Sequence, residues 1–243
     1  MIKGFLFSVF FLYAQTDVAV YVAEKVTISS RFERAFIEYI LDEYNKENQT
    51  DLRAKFVHIN SFSDHFIIHN TDSNAYQCSI DGISITKSRK VFYSFSYPYQ
   101  RTYPALMTIY PNEVLDRDLW KKETITIGLT KHSIYEYLKR RIMPKANVFF
   151  VPHANLIIDI LKEKKADYYL GDNIKAINLD SLHVAHLFKN SFSSKYGVLF
   201  PKKSKLQRML NPLIRNFVRS DKYIAFLKAY YGKDYNQLMY SEN

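Results

Sequence analysis

Cysteine is nearly absent from this sequence. Its one thiol, Cys78, has no partner for an intrachain disulfide and no companions for a multi-Cys zinc site. Glycine and proline are scarce, at six and seven residues, which excludes collagen-like repeats and long flexible linkers. Beyond the N-terminus no apolar run approaches the ~20 residues a membrane-spanning helix needs. Acidic charge is in deficit: 24 Asp and Glu stand against 34 Lys and Arg, a formal net charge of +10. That excess is not gathered into long blocks. The densest stretches are Lys162–Lys165, which carries its own Glu163, and Lys202–Lys205. A basic balance draws a chain toward polyanions or anionic membranes, and it equally describes a solvated lysine-rich surface; it specifies no nucleic-acid partner.

What remains is globular. With 47% apolar and 16% aromatic residues, the chain is too hydrophobic to stay disordered, and 243 residues supply one large core or two lobes. Met1 to Ala14 reads MIKGFLFSVFFLYA: one Lys, then about ten mostly apolar residues, then a small one. This is the plan of a short secretory signal peptide over residues 1–15, cleaved near Ala14. It predicts an exported, periplasmic mature protein. The alternative is a buried N-terminal strand or helix.

Periodicity predicts alternating strands and helices. Apolar runs mark strands at Asp17–Glu24, Leu52–Ile59, Cys78–Thr86, Leu106–Tyr110, Thr124–Thr130, Asn147–Val151, Ala166–Leu170 and Lys195–Phe200. Helical spacing of Phe32, Phe36, Ile37, Ile40 and Leu41 predicts a helix capped at Ser29 or Ser30 and ending near Asn45. Further helices are expected at Phe62–His69, Ser133–Arg141, Asn155–Lys164, along the Leu206–Val218 stripe with a kink at Pro212, and at Tyr223–Tyr231 with Gly232 as its stop. Alternation of this kind argues for an α/β protein with mostly parallel sheets.

Asp81 to Tyr99 reads DGISITKSRKVFYSFSYPY. Gly82, then Ser84-Ile85-Thr86, then Arg89, then Phe95-Ser96-Tyr97-Pro98-Tyr99 resembles the signature stretch of the type 2 periplasmic solute-binding proteins, in the family that mostly captures amino acids. Later segments resemble that family in order: Ile127–Ser133, Leu161–Asp172, and Tyr196 to Gly232. The resemblance implies a bilobed α/β fold, two mostly parallel sheets flanked by helices and joined by a two-strand hinge. Lobe 1 would hold residues 16–103 and 190–243, lobe 2 residues 104–189, and ligand would lie between them. It also implies a monomer that takes a small amino-acid-like ligand and works with a membrane transporter permease or a sensor, without cofactor or metal. The first 78 residues resemble the family poorly: the turn after the first strand and the Ser73-Asn74-Ala75-Tyr76 stretch depart from its pattern, so the ligand side chain is unreadable.

Five residues carry the expected site. Arg89 offers a planar fork that matches a carboxylate with two parallel hydrogen bonds; by itself it could equally pair with a surface acid. Gly82 lets backbone approach closely and Ser84 offers a hydroxyl, unless they serve a strand bulge and a turn. Ser133 opens a helix whose free N–H groups suit a carboxylate, or is a plain N-cap. The resemblance gives Asp172 the ligand ammonium; the plain alternative is a turn Asp. His65 with His69, and His183 with His186, have helical spacing, but a metal would need further ligands. Cys78 reads as a buried strand residue. Two other readings stay open: an enzyme on the same scaffold, with Glu24 or Asp81 as the acid, and a basic polyanion-binding protein with a disused cleft.

Overall fold

The computed structural model describes residues 15–23, 27–69, 76–111, 125–131, 133–152, 156–189 and 193–240. Residues 1–14 of the expected signal peptide, Glu24, residues 73–75 and His132 lie outside them.

Strand β1 (Thr16–Ala23) buries Val18, Val20 and Val22 and pairs in parallel with β2 (Leu52–Ile59) and β3 (Gln77–Ser79). Helix α1 (Ile28–Asn48) links β1 to β2 and packs Phe32, Phe36, Ile37, Ile40 and Leu41 into the core, the face that the 3.6-residue period predicted. Its cap is Thr27, not Ser29 or Ser30. The Thr27 hydroxyl accepts the Ser30 N–H and the Ser30 hydroxyl accepts the Thr27 N–H, a reciprocal capping box that places Ser30 inside the first turn. The helix also runs past Asn45, whose amide turns back to bond both backbone groups of Leu52.

After the short α2 (Asp64–Ile68), the expected strand Cys78–Thr86 stops at Ser79. Gly82 takes a left-handed φ of +57° and turns the chain, so that Ser84 only bridges to Tyr196. Arg89 lies on α3 (Lys87–Phe92), a helix that its polar sequence did not announce. Strand β4 (Ser94–Phe95) borders the first sheet, whose order is β2-β1-β3-β12-β4; β12 (Leu199–Phe200) runs antiparallel to both its neighbours.

The second sheet is built from β6 (Pro104–Thr108), β7 (Thr126–Thr130), β8 (Asn147–Val151), β9 (Tyr168–Asp172) and β10 (His183–Leu187), in order β10-β6-β9-β7-β8. In both sheets three parallel strands occupy one side, and the other side is added through two successive antiparallel pairings. Alternation along β6 sends Leu106 to one face and Ala105 and Met107 to the other. One face packs under α4 (Ile134–Ile142) through Tyr135 and Leu138; the other under α5 (Ile157–Lys162) through Ile157, Ile160 and Leu161. His183 and His186 sit on β10, around a register shift, and so do not share a helix face.

The two sheets are joined by an antiparallel pair, β5 (Gln100–Thr102) with β11 (Ser194–Tyr196). The run Lys195–Phe200, expected as one strand, is therefore divided between this connection and β12. The chain returns to pack α7 (Lys205–Val218) and α8 (Asp221–Tyr231) on the first sheet. Helix α7 runs uninterrupted through Pro212, which faces solvent, and Gly232, at φ +53°, ends α8. Among the described residues no helix is long and apolar enough to cross a membrane.

Candidate functional site

A cavity of about 840 Å³ opens between the sheets, and Gly82, Ser84, Arg89, Ser133 and Asp172 all line it. Sequence positions 44 and more apart are thus brought to one space from both sides of the connecting strands.

Arg89 is held from three directions. Thr86 caps α3 by accepting the Arg89 N–H at 3.1 Å. The guanidinium Nη1 donates to the Ser84 carbonyl at 2.9 Å, and the group stands 4.6 Å from the Phe66 ring centroid and 5.6 Å from that of Phe62. Burial pulls the Arg89 pKa down to about 10, opposed by the Asp172 charge, so it stays cationic at neutral pH. The Ser84 hydroxyl is engaged by Ser194 Oγ at 2.6 Å. The Gly82 N–H donates to Glu33 Oε1 at 2.7 Å, and a Cβ at Gly82 would come 3.1 Å from the Tyr196 ring.

From the other side, Ser133 caps α4, its hydroxyl accepting the Tyr135 N–H at 3.3 Å. The capping role and a place on the cavity wall therefore coexist in one residue. Asp172 ends β9, is buried, and accepts Thr102 Oγ1 at 2.5 Å. The buried Tyr135 and Tyr196 phenols lie beside it; burial first and the Asp172 charge second hold both well above the usual phenol range. At Gly171 a Cβ would fall 2.5 Å from the Tyr169 ring, so the glycine makes room for that ring, whose hydroxyl meets Thr130 Oγ1 at 3.0 Å.

Several lining groups escaped the sequence reading. Glu33 is buried on α1, where it accepts from Gly82 and from the Tyr99 hydroxyl. Burial first and Asp81 second push its carboxyl up to about 8. A signal existed: Glu33 precedes Ile37 by four and Ile40 by seven, on the apolar stripe itself. Lys175 enters from α6 (Ile174–Asn178), three residues past Asp172. Asp81, named as a candidate acid, lines the cavity with Oδ2 3.1 Å from Nε2 of the fully buried His65. His69, whose pKa burial first and the neighbouring His65 second drive down to about 4, is 2.7 Å from Ser79 Oγ, so the two histidines have different hydrogen-bond partners. Cys78 is buried in β3, and its thiol is pushed up to about 12, which leaves it unreactive.

The two sides also touch directly. The Asn178 side chain on α6 accepts the Ser29 N–H at 3.0 Å and donates to Ser29 Oγ at 2.8 Å at the start of α1. Ile174, on the same helix, packs into the core of the first sheet.

No protein-family model matches the sequence, and no curated protein matches it in sequence. Solved structures match the fold. An ancestral amino-acid-binding protein, a precursor of cyclohexadienyl dehydratase, aligns with a TM-score of 0.72 at 14% identity over 88% of this chain and 95% of its own. The GluR0 ligand-binding core of Nostoc punctiforme, solved with L-glutamate, gives 0.70 at 18% identity over 88% and 99%. An arginine-specific periplasmic binding protein of Salmonella typhimurium gives 0.71 at 14% identity over 90% and 100%. The chain thus has the bilobed α/β fold of the type 2 periplasmic binding proteins.

Proposed function

We propose that this chain is an exported solute-binding protein that captures a small amino-acid-like ligand between two lobes by hinge closure, for uptake or sensing. One observation carries the reading: Arg89 from the first-sheet side and Asp172 from the second line the same cavity, a guanidinium and a carboxylate suited to the two ends of a zwitterion. A ligand gripped by both lobes favours the closed state by the contacts that only this state makes. In this reading lobe 1 comprises 16–103 and 190–243, lobe 2 comprises 104–189, and the ribbon of β5 and β11 is the hinge. Ser84 and Ser133 offer hydroxyls to complete the grip on the carboxylate, and Gly82, whose N–H is taken by Glu33, lets the cavity wall lie close. The neighbours bind amino acids and include periplasmic and transporter-linked proteins, which supports an exported binding role; in this reading the chain leaves behind a signal peptide over residues 1–15, acts as a monomer and has a permease or sensor as partner.

Thermal-shift screening of the purified chain against the common amino acids, followed by calorimetry on hits, tests the proposal. A midpoint rise with saturable binding is expected. Stabilisation by anionic polymers alone would replace it with the polyanion reading. One observation favours an enzyme on this scaffold: Glu33 keeps its proton up to about pH 8 inside the cavity, as a general acid must. Turnover of a bound ligand, lost in Glu33→Gln, would establish that alternative.

A further inference from the structure

Six charged side chains line the cavity: Glu33, Asp81 and Asp172, and Arg89, Lys131 and Lys175. They are unequally occupied. Each acid already has a partner: Glu33 in the Gly82 N–H and the Tyr99 hydroxyl, Asp81 in His65, and Asp172 in Thr102. The cations have more to give. Arg89 spends one N–H on the Ser84 carbonyl, and Lys131 is exposed at the rim. Lys175 makes no hydrogen bond and no ion pair within 4.0 Å among the described residues. Burial disfavours its charge, but Tyr169, Asp81, Asp172 and Glu33 together outweigh burial and raise its pKa, so it remains an ammonium.

We propose that Lys175 reads a second carboxylate on the ligand, so that the site takes an acidic amino acid, an α-amino dicarboxylate of the glutamate or aspartate type. This rests on the reading of the cleft as an amino-acid site. Arg89 holds the α-carboxylate and Asp172 the ammonium. Lys175, one helical turn beyond Asp172 on the same corner of the second lobe, meets the distal carboxylate. A neutral side chain would leave the Lys175 ammonium desolvated without a partner when the lobes close, and a cationic one would face it directly.

Titration calorimetry of the full chain with L-glutamate, L-aspartate, L-glutamine and L-arginine tests this. An acidic ligand should bind about 10- to 100-fold more tightly than glutamine, the worth of a charge-assisted hydrogen bond. Lys175→Gln should abolish that preference, weakening glutamate binding while glutamine binding is kept or improved, and Lys175→Arg should keep the preference. Tighter binding of glutamine or arginine by the wild type would overturn the acidic-ligand inference and leave the amino-acid reading standing. Binding of none of the four, nor of any other amino acid, would overturn both. Equal losses for glutamate and glutamine in Lys175→Gln, with the fold intact by circular dichroism, would make Lys175 a structural lysine and refute the assignment.

Discussion

Replacing Glu33 by Gln isolates the cost of keeping a carboxyl inside the cleft. Glu33 is 3% exposed, and its pKa rises from 4.5 to about 8, through burial first and the neighbouring Asp81 charge second. Between these values the folded protein holds a proton that the unfolded chain has released. Stability therefore falls as pH rises through that window. At about 1.4 kcal/mol per pKa unit, Glu33 alone removes on the order of 3 kcal/mol between about pH 5 and pH 8. Gln has the shape of the protonated acid and keeps an oxygen for the Gly82 N–H, 2.7 Å away, and the Tyr99 hydroxyl, yet does not titrate. Wild type and Glu33→Gln should be similar in stability near pH 5. At pH 8 the variant should be ahead by roughly 3 kcal/mol, a melting difference of about 6–12 °C for a chain of this size. Urea unfolding of both proteins across this range measures the difference. Parallel pH profiles would refute the argument, because they would mean that Glu33 is already ionised in the fold.

Arg89→Ala should weaken ligand binding by roughly 2–5 kcal/mol, tens to thousands of fold by calorimetry, and Arg89→Lys should fail to restore it because an ammonium lacks the fork; near wild-type affinity would remove Arg89 from the site. If Asp172 takes the ligand amine, the wild type should discriminate strongly against the 2-hydroxy analogue of its amino acid, and Asp172→Asn should narrow the gap, since an amide can pair with a hydroxyl. Matched titrations giving equal wild-type affinities would show that Asp172 does not read the amine. Asn178→Ala deletes the contacts to Ser29 that tie α6 to α1, worth about 1 kcal/mol each. Small-angle scattering should then report a larger radius of gyration for the free protein, and unchanged scattering would deny these contacts a role in holding the lobes together.

Local pattern made much of the fold legible. Strands β2 and β8 coincide with their apolar runs, because strand pairing there follows continuous β-favouring sequence. The α1 stripe and the Ser133 cap were readable for the same reason: both are decided within one or two helical turns. The errors arise where two segments compete for the same backbone groups. The Cys78–Thr86 run is apolar enough for a strand, but Gly82 turns it so that its N–H can reach Glu33, 49 residues earlier. Strand β10, with two His in its five residues, exists because β6 offers it an antiparallel edge.

The site divides along the same line. Gly82, Ser84, Arg89, Ser133 and Asp172 were named without coordinates through the resemblance to the solute-binding family, and all five line the cavity. Sequence by itself also determined the alternation of strands and helices, through hydrophobic periodicity, and the scarcity of cysteine that leaves noncovalent packing to hold the lobes. Only the tertiary structure decided that Glu33 would be buried and protonated, that Asp81 would lean on His65, and that Lys175 would face the cavity without a direct partner among the described residues. Charge and burial at those positions draw on groups as far as 142 residues apart, as Lys175 and Glu33 are, across two sheets joined by a ribbon. The electrostatics of a cleft between lobes is a sum over neighbours, and the chain acquires those neighbours only when it closes on itself.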